Sequence, residues 1–165
     1  MSGALYLRST ISIATVAFAR GLRNFTLRSQ ASFRKAERKK VYISYSQENS
    51  GFKKFLETWD EQSDFSFFFS EIPYDVPHEK ERTVKAMLTR QMRRAEYFLL
   101  VVGEKTHEDP WARWQIIRAQ ELHLKTAAVK LSSHYIIPEE LQKAEISWAA
   151  AFTKHSILSA LIKSH

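Results

Sequence analysis

The 165 residues contain no cysteine. That excludes disulfides, thiolate zinc sites, iron–sulfur clusters and cysteine nucleophiles, and it suits a cytoplasmic chain. Glycine is scarce too, with four in all, and neither G-x-G-x-x-G nor G-x-x-x-x-G-K-[ST] occurs. Backbone that cradles phosphate closely needs such glycines, so ordinary dinucleotide redox enzymes and P-loop NTPases are disfavoured, although a flavin site is untouched by this test. No stretch reaches the roughly 18–20 apolar residues of a membrane span. The best run, ISIATVAFA at 11–19, is short and carries Ser and Thr. The six histidines, at 78, 107, 123, 134, 155 and 165, show no ligand spacing, and no metal is expected. There is no internal repeat and no low-complexity segment.

What is present is a chain rich enough in apolar residues (44%) and aromatics (13%) to build a core. The net charge of +7 is unevenly placed. Residues 1–40 hold nine Lys or Arg against one acid, Glu37; residues 41–165 hold sixteen against seventeen. A near-neutral body lacks the electrostatic footprint of a nucleic-acid binder, so nucleic acid is not expected as a partner.

The sequence divides accordingly into residues 1–40 and 41–165. In the first part Leu7, Ile11, Ala14, Phe18, Leu22 and Phe25 recur at helical spacing, with Arg8, Arg20, Arg23 and Arg28 elsewhere on the wheel. A basic amphipathic helix is expected. Packing on its own domain or a neighbouring copy is the preferred role; lying on a membrane surface over residues 1–30 and organellar targeting are the others. SFRKAERKK (32–40) reads as a linker or helix end.

From Val41 the pattern alternates. Strands are predicted at VYISYS (41–46), FSFFF (65–69), YFLLVVG (97–103), TAAVKL (126–131) and, weakly, ISWAA (146–150). FSFFF is apolar enough for burial on both sides. Between them lie helical faces: Phe52, Phe55, Leu56 and Trp59; Val84, Met87, Leu88 and Met92; a helix from Pro110 to about His123 with proline in its first turn; a short turn at PEELQ (138–142); and a last helix capped by Thr153 with Ile157, Leu158, Leu161 and Ile162 apolar. This β-α alternation predicts an α/β fold, a five-stranded parallel sheet with helices on both faces. Ligands in such sheets bind beyond the strands' carboxyl ends, here Ser44–Asn49, Ser70–Pro77, Gly103–Pro110 and Leu131–Tyr135. Ser44 and Ser46 lie there, but without a G-x-S-x-G around them they read as turn serines bonding local backbone.

Four stretches, in order, carry a resemblance: ISYSQENSG (43–51), FFFSEIPYDVP (67–77), MRRAEYFLLVVGEKTHEDPWARWQIIRAQEL (92–122) and IPEELQKAEISWAAAFTKHSILSALI (137–162). They resemble the first strand, the second strand with its BB loop, the third strand with its following helix, and the tail of bacterial TIR-like domains, a group that includes the TIR proteins of Thoeris antiphage defence. The resemblance covers about residues 41–163. It implies a flavodoxin-like fold and NAD+ glycohydrolase or cyclase activity, with NAD+ as substrate rather than cofactor. It also implies self-association into a homo-oligomer and a defence effector as partner.

In catalytic members a glutamate in W-x-x-x-E stabilises the oxocarbenium-like centre as nicotinamide leaves, chemistry close to glycoside cleavage. Counting from Trp111 puts Gln115 in that place. An amide can still bond a ribose hydroxyl but offers no negative charge, and losing such an electrostatic group costs about 10²–10³ in rate. Glu121, six residues on at ~100° each, points about 240° away round the helix. Glu104, Glu108 and Asp109 could approach, without support from the family pattern. The resemblance thus implies a chain inactive as written, natural or engineered, in which Gln115→Glu consumes NAD+; a non-enzymatic scaffold acting through self-assembly is the alternative. It also implies substrate contacts at Tyr45, Ser46, Asn49, Ser70, Tyr74, Asp75, Gly103 and Trp111. Packing is the plainer role for Trp111 and Trp114, a solvated charge for Arg113, and a buried central strand for FSFFF.

Overall fold

A computed structural model describes residues 38–60, 63–72, 76–142 and 144–164, with the backbone alone for Gln47, Glu48, Asn49 and Glu79. The basic amphipathic segment, Tyr74, Asp75 and the side chain of Asn49 therefore lie outside the described residues.

Five strands form one sheet: β1 (Lys39–Tyr45), β2 (Phe65–Phe69), β3 (Tyr97–Val102), β4 (Lys125–Lys130) and β5 (Ser147–Ala149). Their order is β2-β1-β3-β4-β5 and every pairing is parallel. The connections carry α1 (Lys53–Asp60), α2 (Glu81–Met92), α3 (Pro110–Glu121) and the single turn α4 (Glu139–Gln142); α5 (Lys154–Lys163) closes the fold. This is the expected flavodoxin-type α/β sheet, and its strand order reverses between β1 and β3, the switch point beyond whose carboxyl ends sheets of this kind place their ligand crevice.

Alternation along the strands builds two cores. Val41 and Ile43 of β1 join Leu99, Val101, Ala127 and Val129 on the face covered by α1 and α5, through Leu56, Ile157 and Leu161. Tyr42 faces the other way, with Phe98, Leu100, Val102 and Ala128, under Met92 of α2 and Ile116 and Ala119 of α3. β3 is buried at all six residues, as a central parallel strand should be.

Several expectations fail in instructive ways. FSFFF is an edge strand, not a central one: β2 pairs only with β1, and Ser66, Phe68 and Phe69 are partly exposed. Its aromatic run reflects covering by neighbouring rings on both faces, Phe65 edge-on to Tyr97 and Phe68 to Tyr42, rather than a second strand alongside. Lys39 and Lys40, expected in the linker, begin β1 in register with Phe65 and Ser66. Phe55 is 58% exposed and Ile162 67%, so the apolar stripes of α1 and α5 are narrower than their sequences suggest; Met87 of α2 is also exposed. The Thr153 cap is present, its hydroxyl accepting from the Ser156 N–H. At the end of α3, His123 takes the left-handed conformation that glycine usually supplies, with φ of 53°.

Candidate functional site

The crevice between β1 and β3 is floored by side chains of one strand face. Tyr42, Ser44 and Ser46 alternate with core residues and point to the α3 side, and Ser70, just past β2, continues the Phe68 face. The Ser70 N–H bonds the Ile43 carbonyl at 2.8 Å, setting the two strand ends side by side. From above, α3 brings Gln115.

Gln115 is fully buried. Its Nε2 donates to the Trp111 carbonyl at 3.2 Å, and its Oε1 accepts from the Tyr42 hydroxyl at 2.9 Å. A carbonyl can only accept, so the amide nitrogen must face Trp111, and the Tyr42 phenol must then be the donor. Burial pushes the Tyr42 pKa well above the ordinary tyrosine value; the nearby Ser70 hydroxyl acts in the opposite sense and Tyr45 adds to the rise. Tyr42 is therefore a neutral donor throughout the physiological range.

Two hydroxyls lie buried beside this bridge. Ser44 and Ser70 are buried, and neither Oγ meets a partner with hydrogen-bond geometry among the described residues. Ser46, two residues on, is the reverse case. Its Oγ donates to Asp109 Oδ2 at 3.1 Å and lies 3.2 Å from Thr106 Oγ1. With the Ser46 proton committed to the carboxylate, Thr106 is the donor in the second contact. Thr106 in turn accepts from the Gly103 N–H at 2.8 Å, and Asp109 Oδ1 accepts from the Trp111 N–H at 2.9 Å. The chain Gly103–Thr106–Ser46–Asp109–Trp111 thus spans the switch point, and Asp109 caps α3 ahead of Pro110.

Of the expected site residues, Ser46, Ser70, Gly103, Trp111 and Gln115 gather at this crevice. Tyr45 does not: it belongs to the opposite face, edge-on to Phe52 and Phe69. Its place follows from strand alternation, since Ser44 and Ser46 take the α3 side. Among the described residues neither Ser44 nor Ser46 bonds local backbone, unlike the turn-serine reading. Trp111 and Trp114 are a packed pair, rings 6.2 Å apart at 82°, with Lys85 Nζ of α2 5.9 and 5.7 Å from their centroids. Arg113 is not merely solvated: it pairs with Glu140 of α4 at 2.7 Å. Glu121 points away from Gln115, as expected, and bonds Arg118. Sequence reasoning missed Tyr42 and Thr106. Strand alternation with Ser44 was the available signal for Tyr42, and the Asp109-Pro110 pair was the signal for the cap. A separate surface pocket at α4 and β5, lined by Ile137, Leu141, Ile146 and Trp148 among others, includes none of these residues.

A parallel sheet of this order, with a polar crevice at the β1/β3 switch point and the W-x-x-x-Q helix beside it, defines a TIR-like domain. The sequence matches the family of the Thoeris protein ThsB TIR-like domain over residues 42–135, more than half of the chain, and the chain belongs to that family. One solved structure agrees on the fold. The 2-deoxyribosyltransferase of Bacillus psychrosaccharolyticus is similar with a TM-score of 0.55 at 12% identity, over 72% of this chain and 89% of that one. A prokaryotic SEFIR domain gives 0.49 at 14% identity, over 77% and 94%. The TIR domains of the activated Roq1 resistosome give 0.42 at 12%, over 56% and 57%. A comparison with curated proteins returned no significant match.

Proposed function

We propose that this chain is a non-hydrolytic TIR-like domain of the ThsB type, working in antiphage signalling through nucleotide binding and self-assembly rather than by breaking the N-glycosidic bond of NAD+. One observation carries the reading: the Gln115 amide is buried with each polar end matched, Oε1 to Tyr42 and Nε2 to the Trp111 carbonyl. A carboxylate in the same pose would turn an oxygen toward the Trp111 carbonyl, with no described cation bonded to it. The surroundings thus favour a neutral amide, and a neutral amide gives no charge to oppose an oxocarbenium ion. NAD+ or a related nucleotide is the expected ligand, entering over the strand ends at Ser70, Gly103 and Trp111. The partners are further copies of this chain and a defence effector.

A second reading keeps the enzyme. Gln115 stands four residues after Trp111, where catalytic relatives carry glutamate, and Gln115→Glu would restore the charge. Incubating the full chain and Gln115→Glu with NAD+ and following nicotinamide by chromatography separates the two. The expected result is no nicotinamide from either protein. Release by the chain as it stands overturns the proposal; release by Gln115→Glu alone favours the second reading.

A further inference from the structure

At the opposite end of the sheet from the crevice lies a surface the nucleotide reading does not use. Lys39 and Lys40 start β1 and Lys125 starts β4, while Arg93 and Arg94 lie in the turn between α2 and β3. All five are exposed. Backbone hydrogen bonds stitch their positions together: the Glu96 N–H bonds the Lys40 carbonyl at 3.0 Å, and the Lys125 N–H bonds the Glu96 carbonyl at 3.1 Å. Lys39 and Lys125 both reach the Tyr97 ring, at 5.9 and 5.7 Å from its centroid, and Lys39 also reaches Phe65 at 5.6 Å.

None of the five joins an ion pair among the described residues, whereas Arg38, Lys53, Lys85, Arg113 and Arg118 each do. Among the described residues the exposed acids at this edge are Asp64, Glu96 and Glu145, three against five, and Glu121 at the end of α3 is already held by Arg118. In sequence, the strand that carries Lys39 and Lys40 directly follows residues 1–37, which hold six further Lys or Arg and a single acid.

From this we infer that the amino-terminal edge of the sheet is a docking surface for a membrane rich in acidic phospholipid. A cluster of unpaired cations next in sequence to a basic segment is what an anionic lipid surface attracts. The choice of lipid over nucleic acid rests on the Leu7, Ile11, Phe18, Leu22 and Phe25 periodicity of that segment, an apolar stripe suited to acyl chains and of no use to a phosphate backbone. Bound in this way, the domain faces its crevice to solvent, because the cationic edge and the strands' carboxyl ends lie at opposite ends of one parallel sheet.

The test uses the full chain and co-sedimentation with vesicles of phosphatidylcholine alone or with about a third phosphatidylserine. Binding is expected to be at least about tenfold stronger on the anionic vesicles and to fall as salt shortens the Debye length. Lys39→Gln/Lys40→Gln/Lys125→Gln and, separately, Arg93→Gln/Arg94→Gln should each weaken it several-fold without changing the melting temperature. Lys54→Gln/Arg82→Gln, at the crevice end, should not. Equal binding to neutral vesicles overturns the inference. So does anionic binding unaffected by either edge variant, which would assign attraction to residues 1–37 alone. Tighter binding to a single-stranded oligonucleotide than to vesicles overturns it in favour of nucleic acid.

Discussion

The hydroxyl of Tyr42, in the middle of β1, donates to the side-chain oxygen of Gln115, on α3, at 2.9 Å. The bond joins residues 73 apart in sequence across the interface between the sheet and the helix. It decides what position 115 tolerates. The donor is held neutral by burial, and the far side of the amide meets a carbonyl, so the pocket supplies one donor, one acceptor and no charge.

Gln115→Glu should therefore fold with a raised carboxyl pKa. The unfolded chain titrates this glutamate near 4.3, while burial without a cation favours the protonated form in the fold. A protonated carboxyl can donate to the Trp111 carbonyl much as the amide does. Stability should thus be near that of the parent below pH ~4 and be lost as pH rises through the folded pKa. At neutral pH the loss should be roughly 2–4 kcal/mol. Thermal melts at pH 4.5 and 8 check this; an equal difference from the parent at both pH values would show that the carboxylate finds a partner.

Tyr42→Phe leaves Gln115 Oε1 buried without its donor, and a loss of about 1–3 kcal/mol at neutral pH is expected. The alkaline limb should change in the other direction. The folded Tyr42 pKa is raised, so the unfolded state releases this proton first, and stability contributed by the neutral phenol is lost as pH climbs above ~10. Denaturant melts at pH 8 and 10.5 should show a smaller alkaline loss for the phenylalanine variant than for the parent.

Ser44 and Ser46 should respond oppositely to the same change. The Ser44 hydroxyl is buried and unmatched, so Ser44→Ala removes a desolvated group and should be neutral or stabilising by up to about 1 kcal/mol. Ser46→Ala breaks the contacts to Asp109 and Thr106 and should cost about 1–2 kcal/mol. Urea midpoints of the two variants make the comparison. A costly Ser44→Ala would mean that its hydroxyl has a partner in solution.

How much of this was legible follows period and chemistry. The five strands and their parallel order could be read because apolar runs such as YFLLVV are unambiguous and alternate with helices. The edge position of β2 could not, since Phe65 and Phe69 look the same whether covered by a strand or by the rings of Tyr97 and Tyr45. Gln115 was legible only through its offset from Trp111. Its hydrogen bond is to Tyr42, and pairing across 73 residues leaves no local signal. Tyr45 was misplaced because position after a strand predicts nearness to the crevice, whereas the pleat decides which face the side chain takes.

The two carboxylate oxygens of Asp109 have different partners. Oδ1 caps α3 through the Trp111 N–H, and Oδ2 holds Ser46 across the switch point. Asp109→Asn keeps an acceptor oxygen for the cap and turns a donor to Ser46, whose hydroxyl can accept, so the β1 contact survives only without its charge. Asp109→Ala loses both. Cap loss alone costs about 0.5–2 kcal/mol, and the Ser46 bond, made to a charged acceptor, adds about 1 kcal/mol or more. Asp109→Ala should thus be destabilised by roughly 2–3 kcal/mol and Asp109→Asn by about half of that. Because Trp111 sits one residue beyond the cap's proline and packs against Trp114, the alanine variant should also shift tryptophan emission to the red before global unfolding. Equal stability of the two variants would mean that only the carboxylate charge matters at this position; an unshifted emission maximum in the alanine variant would mean that α3 keeps its first turn without the cap.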